Sequence, residues 1–210
     1  ASNLATGDVI DFVQILGNVL DIGQPSDDTV KTASLQSNAV TSAKMFSGFA
    51  NGITQAQQWR VTSSFTFSTT QDVDSNWEIS DGTGYGSIGS NLTQSSGIFT
   101  FPSTGIYLIM AVFSFRRATG DRIVEGIISG TTNNSTYNNV ATSSTSNSDF
   151  GGSDNTTYNA NCDAIFDVTD TSNVKFKLRV GTPGSGSDQT CDGDSSQQTT
   201  GFTCIRLGDT

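Results

Sequence analysis

The chain contains no histidine. This absence excludes every serine–histidine–aspartate or cysteine–histidine arrangement, because these nucleophiles need an imidazole as general base. It also restricts any zinc site to cysteine and carboxylate ligands. The three cysteines, Cys162, Cys191 and Cys204, lack CxxC spacing, and their odd, small number does not form a disulfide framework. We expect reduced thiols and no metal, with one disulfide between Cys191 and a neighbour as the alternative.

Long apolar runs and positive charge are also scarce. No apolar run approaches the ~20 residues that a membrane-spanning helix needs, so we expect no membrane insertion. The chain has ten lysines and arginines and 20 aspartates and glutamates, which gives a net charge of -10. Such a chain repels nucleic acid and anionic lipid, and neither is expected as a partner. The glycine-rich residues 82–89 predict a loop and short strand rather than a phosphate-binding loop, and we expect no cofactor.

Hydroxyl side chains supply much of the polarity, since serine and threonine together number 58. With asparagine, they compete for backbone hydrogen bonds and favour extended strands and solvated loops over helices. Alternation of period two begins near residue 59 and is clearest in NVKFKLRV, residues 173–180. No convincing helix follows residue 55. The sequence therefore predicts an all-β protein, a jelly-roll β-sandwich over residues 56–210.

Residues 1–55 differ from the rest and predict a short extended or partly helical segment for attachment and a stalk. Residues 1–23 are apolar at spacings that fit either a helix or a strand. Residues 28–45 contain a ten-residue repeat, DTVKTASL and then NAVTSAKM. Such a unit buries its few apolar residues by winding around identical chains; chance similarity in a polar linker is the alternative. The repeat resembles the V-T-x-A-K-hydrophobe units of bacteriophage tail-fibre proteins, which lead up to a trimeric head.

Two long polar segments, residues 129–159 and 181–201, are expected to be mainly loops. The first includes a possible weak strand at residues 136–141. Long loops on a rigid sandwich are common sites of recognition. We therefore predict that aromatic residues of the first segment contact a receptor, either a carbohydrate or a protein; the alternative is that they anchor the segment. These residues are Tyr137, Phe150 and Tyr158.

Residues 106–115, IYLIMAVFSF, are apolar on both faces of the predicted strand. A two-sheet sandwich covers only the inner face of a strand, and no helix is predicted to cover the other. We infer that a neighbouring chain covers the second face, unless loops of the same domain do so. The residues assigned to this interface, a trimer interface if the resemblance described next holds, are Tyr107, Ile109, Ala111, Phe113 and Phe115.

The same region carries a family resemblance. Gly97, Phe99, Pro102, Gly105 and Tyr107 form G-x-F-x-x-P-x-x-G-x-Y, which resembles the signature of the complement globular-head domain in the tumour-necrosis-factor-like superfamily. The wider likeness covers about residues 60–207. It implies a jelly-roll fold and a tight homotrimer. The chain departs from the family's pattern in its long 129–159 segment and in the turn at residues 170–173, which lacks the usual Gly-Asp.

These features together predict a structural virion protein, a trimeric phage fibre or appendage assembled in the host cytoplasm. Its head is expected to bind a host surface receptor or glycan, or to decorate the particle. Its N-terminal segment is expected to bind other virion proteins. A secreted complement-like or cytokine-like trimer is the alternative, although no collagen-like stalk or disulfide framework is visible in the sequence.

Catalysis and metal binding are weaker hypotheses. Two carboxylates can hydrolyse a glycosidic bond without histidine, and the candidate acids are Asp163, Asp167 and Asp170, but nothing marks a pair as catalytic. We therefore assign no catalytic residue and expect no enzyme. Residues 188–194 include three aspartates in an oxygen-rich segment that could hold Ca²⁺, but their spacing fits no EF-hand loop. A solvated acidic loop is the preferred interpretation.

Overall fold

The computed structural model describes residues 52–117, 123–146, 156–183 and 189–210, with short stretches between residues 6 and 45. The chain divides into two units, Ala1–Phe49 and Ala50–Thr210. All the strands that the structure describes lie in the second unit. The predicted attachment segment and most of the ten-residue repeat fall outside the described residues, so the stalk and the boundary between residues 55 and 56 stay predictions.

Thirteen strands form in the described part of the chain, and they confirm the predicted β-sandwich. They are β1 Ala56–Val61, β2 Ser63–Phe67, β3 Gln71–Asp72, β4 Trp77–Ile79, β5 Thr93–Ser95, β6 Ile98–Thr100, β7 Gly105–Arg117, β8 Ile123–Thr131, β9 Asn138–Ser146, β10 Thr157–Val168, β11 Lys175–Gly181, β12 Gln189–Asp194 and β13 Gly201–Gly208. Among the described helices, none is long and apolar enough to span a membrane.

The strands form two antiparallel sheets. Sheet 1 has the order β2-β12-β7-β13-β1-β4, with β10 on the other edge of β7. Sheet 2 has the order β5-β6-β11-β8-β9, with β3 also paired to β11. Strand β7 is the longest at 13 residues, and it pairs with β10 on one edge and with β13 and β12 on the other. Residues 106–115, which are apolar on both faces of the strand, therefore lie at the centre of sheet 1.

Aromatic rings from both sheets fill the core. Phe99 of sheet 2 lies 4.7 Å from Phe202 of sheet 1 and 5.2 Å from Trp59, measured between ring centroids in edge-on geometry. Phe176 of β11 stacks on Phe99 at 5.1 Å. Such ring pairs add about 0.5–1.5 kcal/mol each beyond the area that they bury. The alternation seen in the sequence places these apolar residues on the inner faces of the two sheets.

Two segments expected to be mainly loops contain well-formed strands. Residues 129–159 include the end of β8, all of β9 and the start of β10, and residues 181–201 include β12. In the first segment, β9 overlaps the weak strand that the sequence analysis placed at residues 136–141, and the rest of β9 was not predicted. In the second segment, β12 was not predicted, and the other described residues between β11 and β13 are loop as expected. The inward positions of β9 are Ala141, Ser143 and Thr145, so an apolar period is absent. Pairing with β8 determines this strand, and tertiary pairing overrides weak local preference.

Candidate functional site: the outer faces of the two sheets

The face of β7 that the sequence analysis assigned to the trimer interface lies in the core of the single chain. The five residues predicted at the trimer interface point into the sandwich and are 0–4% exposed in the single chain: Tyr107, Ile109, Ala111, Phe113 and Phe115. The packing is tight, since a Cβ on Gly126 of sheet 2 would lie 2.2 Å from the ring of Phe113. These side chains are not available to a second copy, because sheet 2 of the same chain already covers them.

The opposite side of β7 points away from sheet 2. Ile106, Leu108 and Val112 are half-buried there, and Met110 is exposed. The register places Ile165 of β10 and Ile205 of β13 on either side of Leu108. A row of apolar side chains therefore crosses three strands on the outside of sheet 1.

The row continues at both margins. Ala56 of β1 pairs with Ile205 and, through an isolated bridge, with Ile88. Leu207 lies further along β13. Ile165, Leu207 and Ile88 are each more than half exposed, at 63%, 53% and 51%. We call this surface the outer apolar face, and its residues are Ile88, Ile106, Leu108, Met110, Val112, Ile165, Ile205 and Leu207.

Two open hollows lie on this face, on either side of Thr203. The first has a volume of about 370 Å³ and is lined by Met110, Val112 and Asp163 among others. The second, of about 360 Å³, lies between β1 and Ile88. Asp163 and Asp167 alternate with Ile165 along β10. The face therefore combines apolar projections, shallow hollows and a polar margin, as protein–protein interfaces do.

A buried arginine lies at one margin of the outer apolar face. Arg60 of β1 is 1% exposed, and its guanidinium donates to Glu78 Oε2 at 2.9 and 3.1 Å and to Asp81 Oδ1 at 2.5 Å. Burial alone lowers the pKa of Arg60, but the hydrogen bonds to the two carboxylates produce a net rise. The ring of Tyr85 lies 6.0 Å from the guanidinium. These contacts hold the segment after β4 against sheet 1.

The outer face of sheet 2 has a different chemistry. Lys175, Lys177 and Arg179 point outward from β11, while the residues between them enter the core. Asp72 of β3 accepts from Lys177 Nζ at 2.5 Å and from Arg179 Nε at 2.8 Å. Tyr137 lies beside this pair, with Lys177 Nζ 4.5 Å from its ring centroid. We call the three basic residues and Tyr137 the basic face.

Tyr137 and Tyr158 have separate environments. The phenol oxygen of Tyr137 is buried and has no hydrogen-bond partner among the described residues; burial and the charge of Asp72 raise its pKa. Tyr158 lies in β10 rather than in a loop, where it packs 6.2 Å from the Phe115 ring and donates to Gln189 Oε1 at 3.0 Å. Tyr158 thus anchors its strand to the core. Phe150 lies outside the described residues.

The candidate acids do not form a catalytic pair. Asp163 and Asp167 are exposed on the same side of β10, with their backbones four residues or about 13 Å apart along the strand. The two carboxyl groups of a glycosidase lie ~5–9.5 Å apart. Asp170 lies in the following turn, where hydrogen bonds from Ser172 and Asn173 lower its pKa. The three side chains thus lie in separate local environments.

The segment proposed as a possible Ca²⁺ loop is occupied by internal contacts. Asp192 pairs with Arg116. Asp194 accepts from the hydroxyl and amide of Ser196 and from the Gln197 amide, which lowers its pKa to about 2. Asp188 lies outside the described residues. Within the described part of the chain, no three histidine, cysteine or acidic side chains are grouped to hold a metal ion.

The three cysteines are free and buried, so the alternative disulfide at Cys191 does not form. Burial raises the pKa of Cys162 to about 11 and the pKa values of Cys191 and Cys204 to about 12. Thiols of this kind are poor nucleophiles near neutral pH, because the thiolate is the reactive form.

The sequence analysis did not identify two residues of these faces, Ile165 and Asp72. Ile165 is an apolar residue in the polar phase of β10, between Asp163 and Asp167, and this break in alternation marks the outer apolar face. Asp72 gave no comparable signal, because only the fold brings it next to β11, over a hundred residues away.

Comparisons with known proteins identify the fold. No family model matches the sequence, and no curated protein matches it. Among solved structures, the chain is similar to Eiger TNF from S. frugiperda, with 11% identity, a TM-score of 0.54, and coverage of 74% of this chain and 93% of that one. Murine APRIL at pH 8.5 has 12% identity, a TM-score of 0.49, and coverage of 73% and 98%. The likeness to Eiger shows that the described strands adopt a tumour-necrosis-factor-like jelly roll.

Proposed function

We propose that the protein is a homotrimeric, non-enzymatic binding protein whose subunits associate through the outer apolar face. The observation that carries the proposal is the row of apolar side chains across β10, β7 and β13. Full burial of an isoleucine or leucine contributes about 1.5–3 kcal/mol, and monomers rarely leave large continuous apolar patches exposed.

The proposed number of subunits, three, is supported by the 97–107 motif, because its resemblance to the complement globular-head signature implies a trimer. The polar margin supports a specific contact rather than adsorption, because Asp163 and Asp167 must find water or a hydrogen-bond partner once the face is covered. With sheet 1 used for assembly, the outer face of sheet 2 and the loops remain for a receptor-type partner.

Substitution of Ile165 tests this assignment. Ile165→Glu places a charge in the middle of the contact without touching the core, so we expect association at least about tenfold weaker. Ile123→Glu is the matched control, because Ile123 is 44% exposed but lies on sheet 2. Sedimentation velocity on the full chain measures both. Equal loss in both variants, or no loss in either, would rule out the outer apolar face as the contact.

The setting in which the trimer acts has two candidates. The likeness to Eiger favours a cytokine-like ligand. The second candidate is a phage fibre or appendage, with the N-terminal segment on the virion, and the observation that favours it is the ten-residue repeat in residues 28–45. Antibody labelling of purified phage particles in electron micrographs tests the second. Labelled particles favour the fibre, whereas recovery of the protein only from a cell-culture medium favours the ligand.

A further inference from the structure

We propose that the basic face of sheet 2 binds an acidic segment of a partner protein. This inference rests on the proposed function, because it names the chemistry of the partner that a trimeric binding protein would recognise on its outward side. Its residues are Lys175, Lys177, Arg179 and Tyr137.

The charge of this face is opposite to that of the chain. The strands of sheet 2 carry three basic residues, all on β11, and two acidic ones, Asp72 and Glu125, so the sheet is net positive by one in a chain of net charge -10. The side chains of Lys177 and Arg179 are 16% and 28% exposed. An acidic partner is attracted to this face and repelled by the negative charge of the rest of the chain. This difference in charge directs the partner to the basic face.

Asp72 shows that the face can recognise a carboxylate. Its two oxygens bridge Lys177 and Arg179 at 2.5 and 2.8 Å. Donors remain beyond this internal pair: Lys175 has no ion-pair partner among the described residues, and Arg179 Nη1 contacts only Asn139 Oδ1, at 3.4 Å. The guanidinium of Arg179 can donate to a second carboxylate through the N–H groups that Asp72 does not use.

The spacing of these donors fits an extended peptide. Lys175 and Arg179 lie four residues apart on one strand, or about 13 Å, with Lys177 halfway between. An extended acidic segment with carboxylates at alternate positions has the same period, about 6.6 Å. The half-buried Tyr137, held by Lys177, provides an aromatic surface of the kind enriched in protein interfaces.

A protein segment fits better than a polyanionic chain. A sulfated glycan or nucleic acid extends its charge beyond the face along a chain of net charge -10, which repels it at long range. A segment with a few carboxylates confines its charge to the basic face. The partner is therefore a short acidic stretch of protein.

The test uses the full chain and a short peptide of alternating glutamate and serine, with the same peptide carrying glutamine as the uncharged probe. Fluorescence anisotropy measures binding while NaCl rises from about 0.05 to 0.5 M. We expect the glutamate peptide to bind, the glutamine peptide to fail, and affinity to fall with salt. Lys175→Glu is expected to weaken binding about tenfold without loss of fold, because this side chain has no ion-pair partner to lose in the part of the chain that the structure describes. Lys44→Glu, the same charge change at a residue that belongs to neither sheet, is expected to have no effect.

Equal binding of both peptides, equal loss in Lys175→Glu and Lys44→Glu, binding of a sulfated dextran but not of the peptide, or no binding below about 1 mM each overturns the proposal. Light scattering of the same samples separates the two proposals. A monomer that still binds the peptide contradicts the trimer alone, and a trimer that ignores the peptide contradicts the basic face alone.

Discussion

At the scale of single residues, the motif of residues 97–107 has a direct physical basis. Gly97 and Gly105 have φ of 74° and 142°, and a Cβ on either would lie within 2.6 Å of a backbone oxygen or an arginine side chain. Phe99 and Tyr107 are fully buried. The two glycines thus allow a positive φ and a close approach to neighbouring groups, while Phe99 and Tyr107 fill the core. These four physical requirements explain why the motif was informative in the sequence.

Gly126 gives a test of packing between the two sheets. Gly126→Ala forces a Cβ into the ring of Phe113, so we expect destabilisation of about 1–3 kcal/mol, typical of overpacking. Gly86→Ala is the control, because nothing lies within 4 Å of its added Cβ. Urea unfolding measures both. A smaller effect at Gly126 than at Gly86 would show that the sheets are not packed as described.

The buried thiols predict a pH dependence of stability. In the folded chain the pKa of Cys191 is raised to about 12, above the ~8.5 of a free thiol. Between these values the unfolded chain has lost the proton and the folded chain has kept it, so this contribution is full below about pH 8.5 and decreases as the pH rises. We expect Cys191→Ala to have a flatter decline in unfolding free energy between about pH 8 and 10. An equally steep decline in the variant would show that this thiol does not titrate as described.

At the scale of elements, β7 is the longest described strand and is paired along both edges. Strand β9 pairs with β8 alone within sheet 2. Amide groups at the centre of a sheet open only with large-scale unfolding, whereas an edge strand opens locally. We expect the amides of residues 107–113 to exchange with deuterium slowest, and those of β9 markedly faster. Equal rates, measured by NMR on the native chain, would contradict this topology.

The sequence predicted elements where burial and alternation coincide. Strand β11 was clear, since Phe176, Leu178 and Val180 enter the core between basic residues. Strand β12 was not, because its buried positions are Gln189 and Cys191, which give no apolar period. The faces of β7 could not be assigned for a related reason: both are apolar, and only the position of sheet 2 decides which one is inside.

At the scale of the whole molecule, the two sheets have different outer surfaces. The outer apolar face of sheet 1 suits contact with identical copies, and the basic face of sheet 2 suits an acidic partner. The apolar pattern of β7 indicated contact with another chain, but the sequence analysis assigned that contact to residues that the single chain buries. The assembly proposal now depends on Leu108, Ile165 and their neighbours.

This division predicts how salt acts on the molecule. Apolar association is strengthened slightly by salt, whereas binding through exposed charges is screened. We expect the trimer to persist at about 0.5 M NaCl while binding of the acidic peptide is lost. Sedimentation velocity and anisotropy on one sample measure the two. Dissociation of the trimer on addition of salt would show that charge, not apolar burial, holds it together.

The molar mass of the full chain in solution, measured by light scattering over a dilution series, tests the central claim most directly. The account predicts a species of three times the chain mass of 22.1 kDa, converted toward monomer by Ile165→Glu and unchanged by Ile123→Glu. A stable monomer, or a trimer indifferent to Ile165→Glu, would contradict it.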